Sequence, residues 1–193
     1  MHPFHSFVPK ESRLTLQSWL DELGVELTIS NPRKTKLGDF KVQQSKLLIS
    51  VNNNLNPYSF LITLTHELAH AFVYAKYKNK VLPHGQEWKT TFKAMSLNFL
   101  PIFPDDIAKV LSLHLLNPKA STLTDLRLSS ILRNYDKQKR LTITDILEGD
   151  KFSISNGKEF LKGKKLRKRY RCVECSTNKV YLFHPLSEVS KMQ

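Results

Sequence analysis

Residues 61–71 read Leu-Ile-Thr-Leu-Thr-His-Glu-Leu-Ala-His-Ala, and the fold of the chain follows from taking this stretch as a helix. In a helix, His66 and His70 lie one turn apart on one face, so both imidazoles can reach a single zinc ion. Glu67 stands beside them. A third ligand would leave the fourth zinc position to water, and a carboxylate there can take a proton from that water as it attacks a carbonyl. Upstream, Asn56-Pro57 is a helix start: an N-cap side chain followed by proline where a missing N–H costs nothing. Leu61, Leu64, Leu68, Ala71 and Ala75 form one apolar stripe, and Ile62, Ala69 and Val73 flank the histidines on the other side. A helix apolar nearly all round is buried, so its histidines need partners, either a metal or hydrogen bonds within the core.

The elements around this helix can be placed from pattern. Leu14, Leu16, Trp19, Leu20 and Leu23 recur at helical spacing in residues 11–23, ended by Gly24. Segments 25–29, 36–42 and 47–51 are short, apolar and β-branched, and predict three strands of a small sheet. The metal helix should run from Asn56 to about Lys78, before Asn79, Lys80 and Pro83. Trp88, Phe92, Met95 and Phe99 then predict a second amphipathic helix, its apolar face turned to the core, that stops before Pro101. A weaker helix follows over 105–116. Residues 119–140 read as a linking region with one short helix. Segments 151–154, 160–162, 165–172 and 179–183 read as strands, with Asn156-Gly157 as a two-residue hairpin turn. The expected class is α+β, with a domain over 1–118, the link, and a basic β-rich module over 141–193.

The chain has 193 residues and is 40% hydrophobic, enough for one good core and an appendage. Its start lacks the charged region and apolar run of a signal peptide, and no run approaches the ~20 apolar residues of a membrane span, so a cytoplasmic location is expected. The two cysteines, Cys172 and Cys175, fit a reducing compartment rather than a disulfide framework. Net charge is +13, and residues 121–193 hold 16 Lys/Arg against 8 Asp/Glu, which points to a polyanionic partner.

A third zinc ligand has few candidates. The pattern with glycine three residues after the second histidine fails, since Val73 and Lys76 stand at its positions. Glu87 is the one near glutamate. His84, 14 residues after His70 and held between Pro83 and Gly85, is the better choice because the helix end can turn the chain back. Here the sequence resembles the SprT-like zinc metalloprotease family: His66-Glu67-Leu68-Ala69-His70-Ala71, then Pro83-His84-Gly85-Gln86-Glu87-Trp88 and the aromatic helix beyond. The resemblance implies a zincin-like metalloprotease core, one catalytic zinc on His66, His70 and His84, and Glu67 as general base. It also implies substrates, because well-studied relatives, Spartan-type proteases among them, degrade proteins trapped on DNA.

The C-terminal module agrees with a DNA partner. Lys158, Lys162, Lys164, Lys165, Arg167, Lys168, Arg169 and Arg171 stand against Glu159 alone, with Phe160 and Tyr170 interleaved, a composition suited to phosphate contact and to base stacking in single strands. Tyr170-Arg171-Cys172-Val173-Glu174-Cys175 resembles the first knuckle of the zinc ribbon of bacterial SprT proteins, but the second cysteine pair is missing. The module is then a degenerate ribbon, and Cys172 and Cys175 would bind a second metal only with other ligands such as His184, or across two chains. The expected function is a zinc endopeptidase acting on DNA-associated or DNA-crosslinked proteins. The alternatives are a non-catalytic nucleic-acid-binding protein with structural zinc and a peptidase independent of DNA.

Overall fold

The computed structural model describes residues 3–33, 35–121 and 124–192. Among them are five α-helices and two sheets, an α+β protein in two compact units, Met1–Lys137 and Gln138–Gln193.

In the first unit, α1 (Arg13–Leu23) ends at Gly24, whose φ of 62° suits a residue without a Cβ and whose N–H closes the last turn on Asp21. Strands β1 (Val25–Ser30), β2 (Gly38–Gln43) and β3 (Lys46–Asn52) lie in the order β1-β3-β2, with β1 parallel and β2 antiparallel to β3. The β2–β3 turn is Gln44-Ser45, both at positive φ (49° and 63°), a two-residue hairpin built without glycine.

Helix α2 (Pro57–Tyr77) is the centre of this unit. The Asn56 side chain accepts from the N–H groups of Tyr58 (3.1 Å) and Ser59 (2.9 Å), capping the helix where the sequence predicts its start. Phe60, Leu61, Leu64, Leu68, Ala69 and Ala71 have no measurable exposure, so α2 is buried on most of its circumference. Helices α3 (Gln86–Leu97) and α4 (Asp105–His114) add Trp88, Phe92, Ile107 and Leu111 to the same core.

The stretch expected as a link contains α5 (Leu126–Arg133), and its Leu128 and Leu132 belong to that core. The Asn56 Nδ2 donates to the Leu132 carbonyl (2.9 Å) and to Asp136 (2.6 Å), so the cap of α2 also fastens the end of α5. Residues 122 and 123 of that stretch lie outside the described residues.

The second unit is a five-stranded antiparallel sheet in the order β7-β6-β5-β4-β8: β4 (Lys151–Ser153), β5 (Glu159–Lys165), β6 (Tyr170–Glu174), β7 (Val180–Phe183) and β8 (Ser190–Lys191). Phe152, Phe160, Cys172 and Ile146 form its small core. Two expectations shift. Residues 165–172 are not one strand, since Leu166 N–H closes a turn on the Arg169 carbonyl (2.7 Å). At Asn156-Gly157 only the glycine has positive φ (80°), and Ile154 N–H donates to Lys158, which makes a three-residue loop with a bulge rather than a two-residue turn. Among the described residues no helix is long and apolar enough to cross a membrane.

Candidate metal centre

His66 and His70 project from the buried middle of α2. Lys78, at φ 53°, ends that helix, and the turn closed by Gly85 N–H on the Leu82 carbonyl (3.0 Å) carries His84 back. The three Nε2 atoms then form a triangle with sides of 3.2 Å (His66–His70), 3.1 Å (His70–His84) and 3.4 Å (His66–His84). Tetrahedral zinc with bonds of about 2.0–2.1 Å requires N···N separations of roughly 3.3–3.4 Å, so the triangle fits one face of that polyhedron.

Hydrogen bonds alone cannot satisfy this arrangement. Each neutral ring nitrogen is either a donor or an acceptor, so among three in mutual contact at least two are alike and repel. A cation facing three lone pairs removes the conflict. Burial, with the neighbouring histidines, holds His66 down to about 3 and His70 down to about 4, and burial lowers His84 too, so the rings are neutral and competent as ligands. Among the described residues, these three are the one group of three or more His, Cys, Asp or Glu side chains placed to hold an ion. Glu87 is not in it.

Trp88 forms the floor. Its ring lies 4.6 Å from His66, 5.3 Å from His70 and 4.8 Å from His84, centroid to centroid, and stacks on Phe92 at 5.0 Å. Its Nε1 donates to the His66 carbonyl (3.4 Å). The core-facing aromatic stripe of α3 is thus also the surface against which the histidines are set.

Glu67 is 8% exposed and borders a cleft of about 180 Å³ shared with His66, Lys36, Gly38, Thr63 and Ser121. Burial and the Asp39 charge push its carboxyl up to about 8, while Arg33, Lys36 and the Phe40 N–H pull it back. Gly38 presses directly on it. A Cβ at Gly38 would lie 2.7 Å from Glu67 Oε1 and 2.7 Å from Thr63 Cγ2, so only glycine lets β2 pass this close to α2. The cleft wall is held by Asn52, which is 1% exposed and donates to the carbonyls of Lys36 (2.9 Å) and Arg33 (3.3 Å) while accepting from the Arg33 guanidinium (2.8 Å). Gly38, Arg33 and Asn52 belong to no motif in the sequence. The available signal was a glycine opening a strand that must pack beside the histidine helix.

In the second unit the predicted nucleic-acid residues divide. Lys162 is buried, its Nζ donating to the Ile146 carbonyl and lying over the Tyr170 ring at 4.3 Å. Tyr170 is 9% exposed and faces the core. Both leave the set available to a ligand, because strand alternation points them inward with Phe160 and Cys172. Lys158 is paired with Glu174 (2.7 Å). Lys164, Lys165, Arg167, Lys168, Arg169 and Arg171 are exposed, the first two at the end of β5, the next three on the turn between β5 and β6, and Arg171 on β6. Cys172 is buried and Cys175 exposed, and neither joins His184 in a ligand group among the described residues. Burial pushes the Cys172 thiol up, away from the thiolate a metal needs.

No curated protein and no solved structure shows a match to this chain. The SprT-like family does: it matches residues 10–106, about half of the chain, a span that covers α1, the three-stranded sheet, the histidine triad with Glu67, and α3. This chain belongs to the SprT-like family, a family of zinc metalloprotease type.

Proposed function

We propose that the protein is a zinc-dependent endopeptidase with a zincin-like core, its metal on His66, His70 and His84 and Glu67 its general base. The observation that carries this reading is the triangle of ring nitrogens with a buried carboxylate one residue away on the same helix. When bound there, zinc supplies Lewis acidity, lowering the pKa of water and polarising the scissile carbonyl.

The chain's own residues supply the proton handling. Burial and the Asp39 charge push the Glu67 carboxyl up to about 8 against the pull of Arg33 and Lys36, and a zinc ion on the neighbouring histidines would add the positive charge that favours the carboxylate at neutral pH. That carboxylate takes a proton from the attacking water, holds it on one oxygen, and delivers it to the amine as the C–N bond breaks. Trp88 keeps the ligand rings in place, and the hold of Asn52 on Arg33 and Lys36 supports the wall of the cleft beside Glu67.

We infer further that the substrates are proteins associated with or crosslinked to DNA. Six exposed cations, Lys164, Lys165, Arg167, Lys168, Arg169 and Arg171, support phosphate contact, while the burial of Tyr170 argues against stacking by that ring. The test is cleavage of a DNA-binding protein by the zinc-loaded chain with and without single-stranded DNA, beside Glu67→Gln. Cleavage that requires both Glu67 and DNA is expected. Activity that survives Glu67→Gln overturns the assignment of the base, and cleavage indifferent to DNA favours a peptidase independent of it.

A further inference from the structure

The last full strand of the second unit, β7, lies at the edge of its sheet with exposed apolar side chains. Its backbone pairing can be worked out from the turn before it. Glu174 N–H donates to the Lys179 carbonyl (2.9 Å), and Asn178, at φ 56°, makes the bulge beside it, so Glu174 and Lys179 are a hydrogen-bonded pair. Antiparallel pairs alternate, which makes Cys172–Tyr181 and Tyr170–Phe183 the next bonded pairs. Val180 and Leu182 therefore turn their N–H and C=O groups away from β6, to the open edge. The Leu182 carbonyl receives the Arg169 guanidinium (3.3 Å), and among the described residues the others have no partner.

The side chains continue this surface. Leu161, Val173 and Val180 form one cross-strand row and Arg171 and Leu182 the next, on the face opposite the core. Leu161, Val180 and Leu182 are 42%, 50% and 51% exposed. An unpaired edge beside an aliphatic face is a template for a further strand.

We propose that β7 captures an extended protein segment in which apolar and acidic residues alternate. Charge selects the occupant. Residues 138–193 carry 13 Lys/Arg against 6 Asp/Glu, and Lys179, Arg169 and Arg171 flank the edge, so a second copy of this chain would set two basic edges against each other. Nucleic acid is disfavoured at this place because aliphatic side chains offer no stacking surface and unpaired backbone groups call for a peptide. An added strand satisfies the free groups of Val180 and Leu182, lays its apolar side chains beside theirs, and brings acids to the flanking cations. This surface does not depend on the peptidase reading.

The experiment measures binding of a dye-labelled peptide, Glu-Val-Glu-Val-Asp-Leu-Glu-Val, to the full chain carrying Glu67→Gln, which separates capture from any cleavage. Val180→Pro removes an outward N–H while leaving the β6 ladder intact, and Leu182→Asp reverses the character of the face. Each should weaken binding roughly tenfold or more, as should N-methylation of alternate peptide residues, with unfolding midpoints unchanged. The proposal is overturned if the peptide does not bind, if Val180→Pro and the N-methylated peptide bind as tightly as their parents, or if poly-glutamate of equal charge binds equally well. A concentration-dependent dimer abolished by Val180→Pro would also overturn it, in favour of a second copy.

Discussion

The histidine triad and the cysteine pair are both sets of metal-ligand side chains at regular spacing, yet only one of them converges. His66 and His70 are four apart on a helix, which puts them on one face, and the packing of α2 against Trp88 and Phe92 fixes that face where the turn after the helix brings His84. Cys172 and Cys175 are three apart at the end of a strand, where alternation sends Cys172 inward and the turn leaves Cys175 in solvent. The turn that a ribbon would tie with metal is tied instead by Glu174. Its buried carboxylate receives Lys158 (2.7 Å), the Thr177 hydroxyl and the Tyr181 hydroxyl (3.3 Å). Ligand spacing makes a site only when the backbone aims the ligands at one point.

The sharpest way to break this contrast is to remove the ligand that comes from outside α2. His84→Ala should lower zinc affinity by more than the roughly 10–100-fold typical of losing an outer-shell partner, measured by competition with a chelator. Full retention of zinc would remove His84 from the centre. Next in size, Trp88→Ala empties the floor beneath all three rings and should cost about 3–5 kcal/mol in denaturant unfolding, because a fully buried indole leaves a cavity the packed helices cannot close. A loss under ~1 kcal/mol would mean the floor is not a support.

The legible parts of the fold were those whose local chemistry and burial agree. Asn56-Pro57 announced the start of α2 because the cap uses residues adjacent in sequence, and Gly24 marked the end of α1 for the same reason. The histidine triad was legible because a helix turns sequence spacing into distance. What escaped depends on neighbours remote in sequence. Gly38 belongs to no sequence motif, and its role comes from Glu67 packing against it. Leu128 and Leu132 sat among polar residues, and only Asn56, reaching across to the end of α5, shows why that helix belongs to the core. The basic run suggests solvent for Lys162 and Tyr170, whereas the register of β5 and β6 puts them inside. Gln44-Ser45 adopts a turn usually marked by glycine or asparagine, so its residues gave no warning.

Within the second unit, Glu174→Gln tests whether an ion pair has taken the place of metal. Lys158, with the Thr177 and Tyr181 hydroxyls, holds the Glu174 carboxyl below the usual range. A depressed folded pKa gives stabilisation that is present above the unfolded value, about 4.3, and lost as pH falls through the folded one. The parent should therefore melt lower on acidification below about pH 4. Glu174→Gln should melt lower at pH 7 and show a shallower acid limb, followed by near-UV circular dichroism. Parallel acid limbs would mean that this carboxylate does not hold the turn.

The smallest expected effect discriminates best between metal and no metal at the cysteines. If the pair bound zinc, Cys172→Ser and Cys175→Ser would remove equivalent ligands, and each would cost both an ion and the fold of the turn. Without metal the two positions have nothing in common. Cys175 is exposed, so a serine there should change stability by no more than ~0.5 kcal/mol. Cys172 is fully buried among Phe152, Phe160 and Tyr170, its thiol 4.0 Å from the Tyr170 carbonyl, and the shorter reach of a serine hydroxyl leaves that bond poorly made, so burying it should cost about 1–3 kcal/mol. Urea unfolding of the two variants, with zinc counted per chain, reads the difference directly. Unequal losses at an unchanged single zinc mean that packing and the Glu174 network hold the turn, and equal losses with a second zinc released would restore the ribbon.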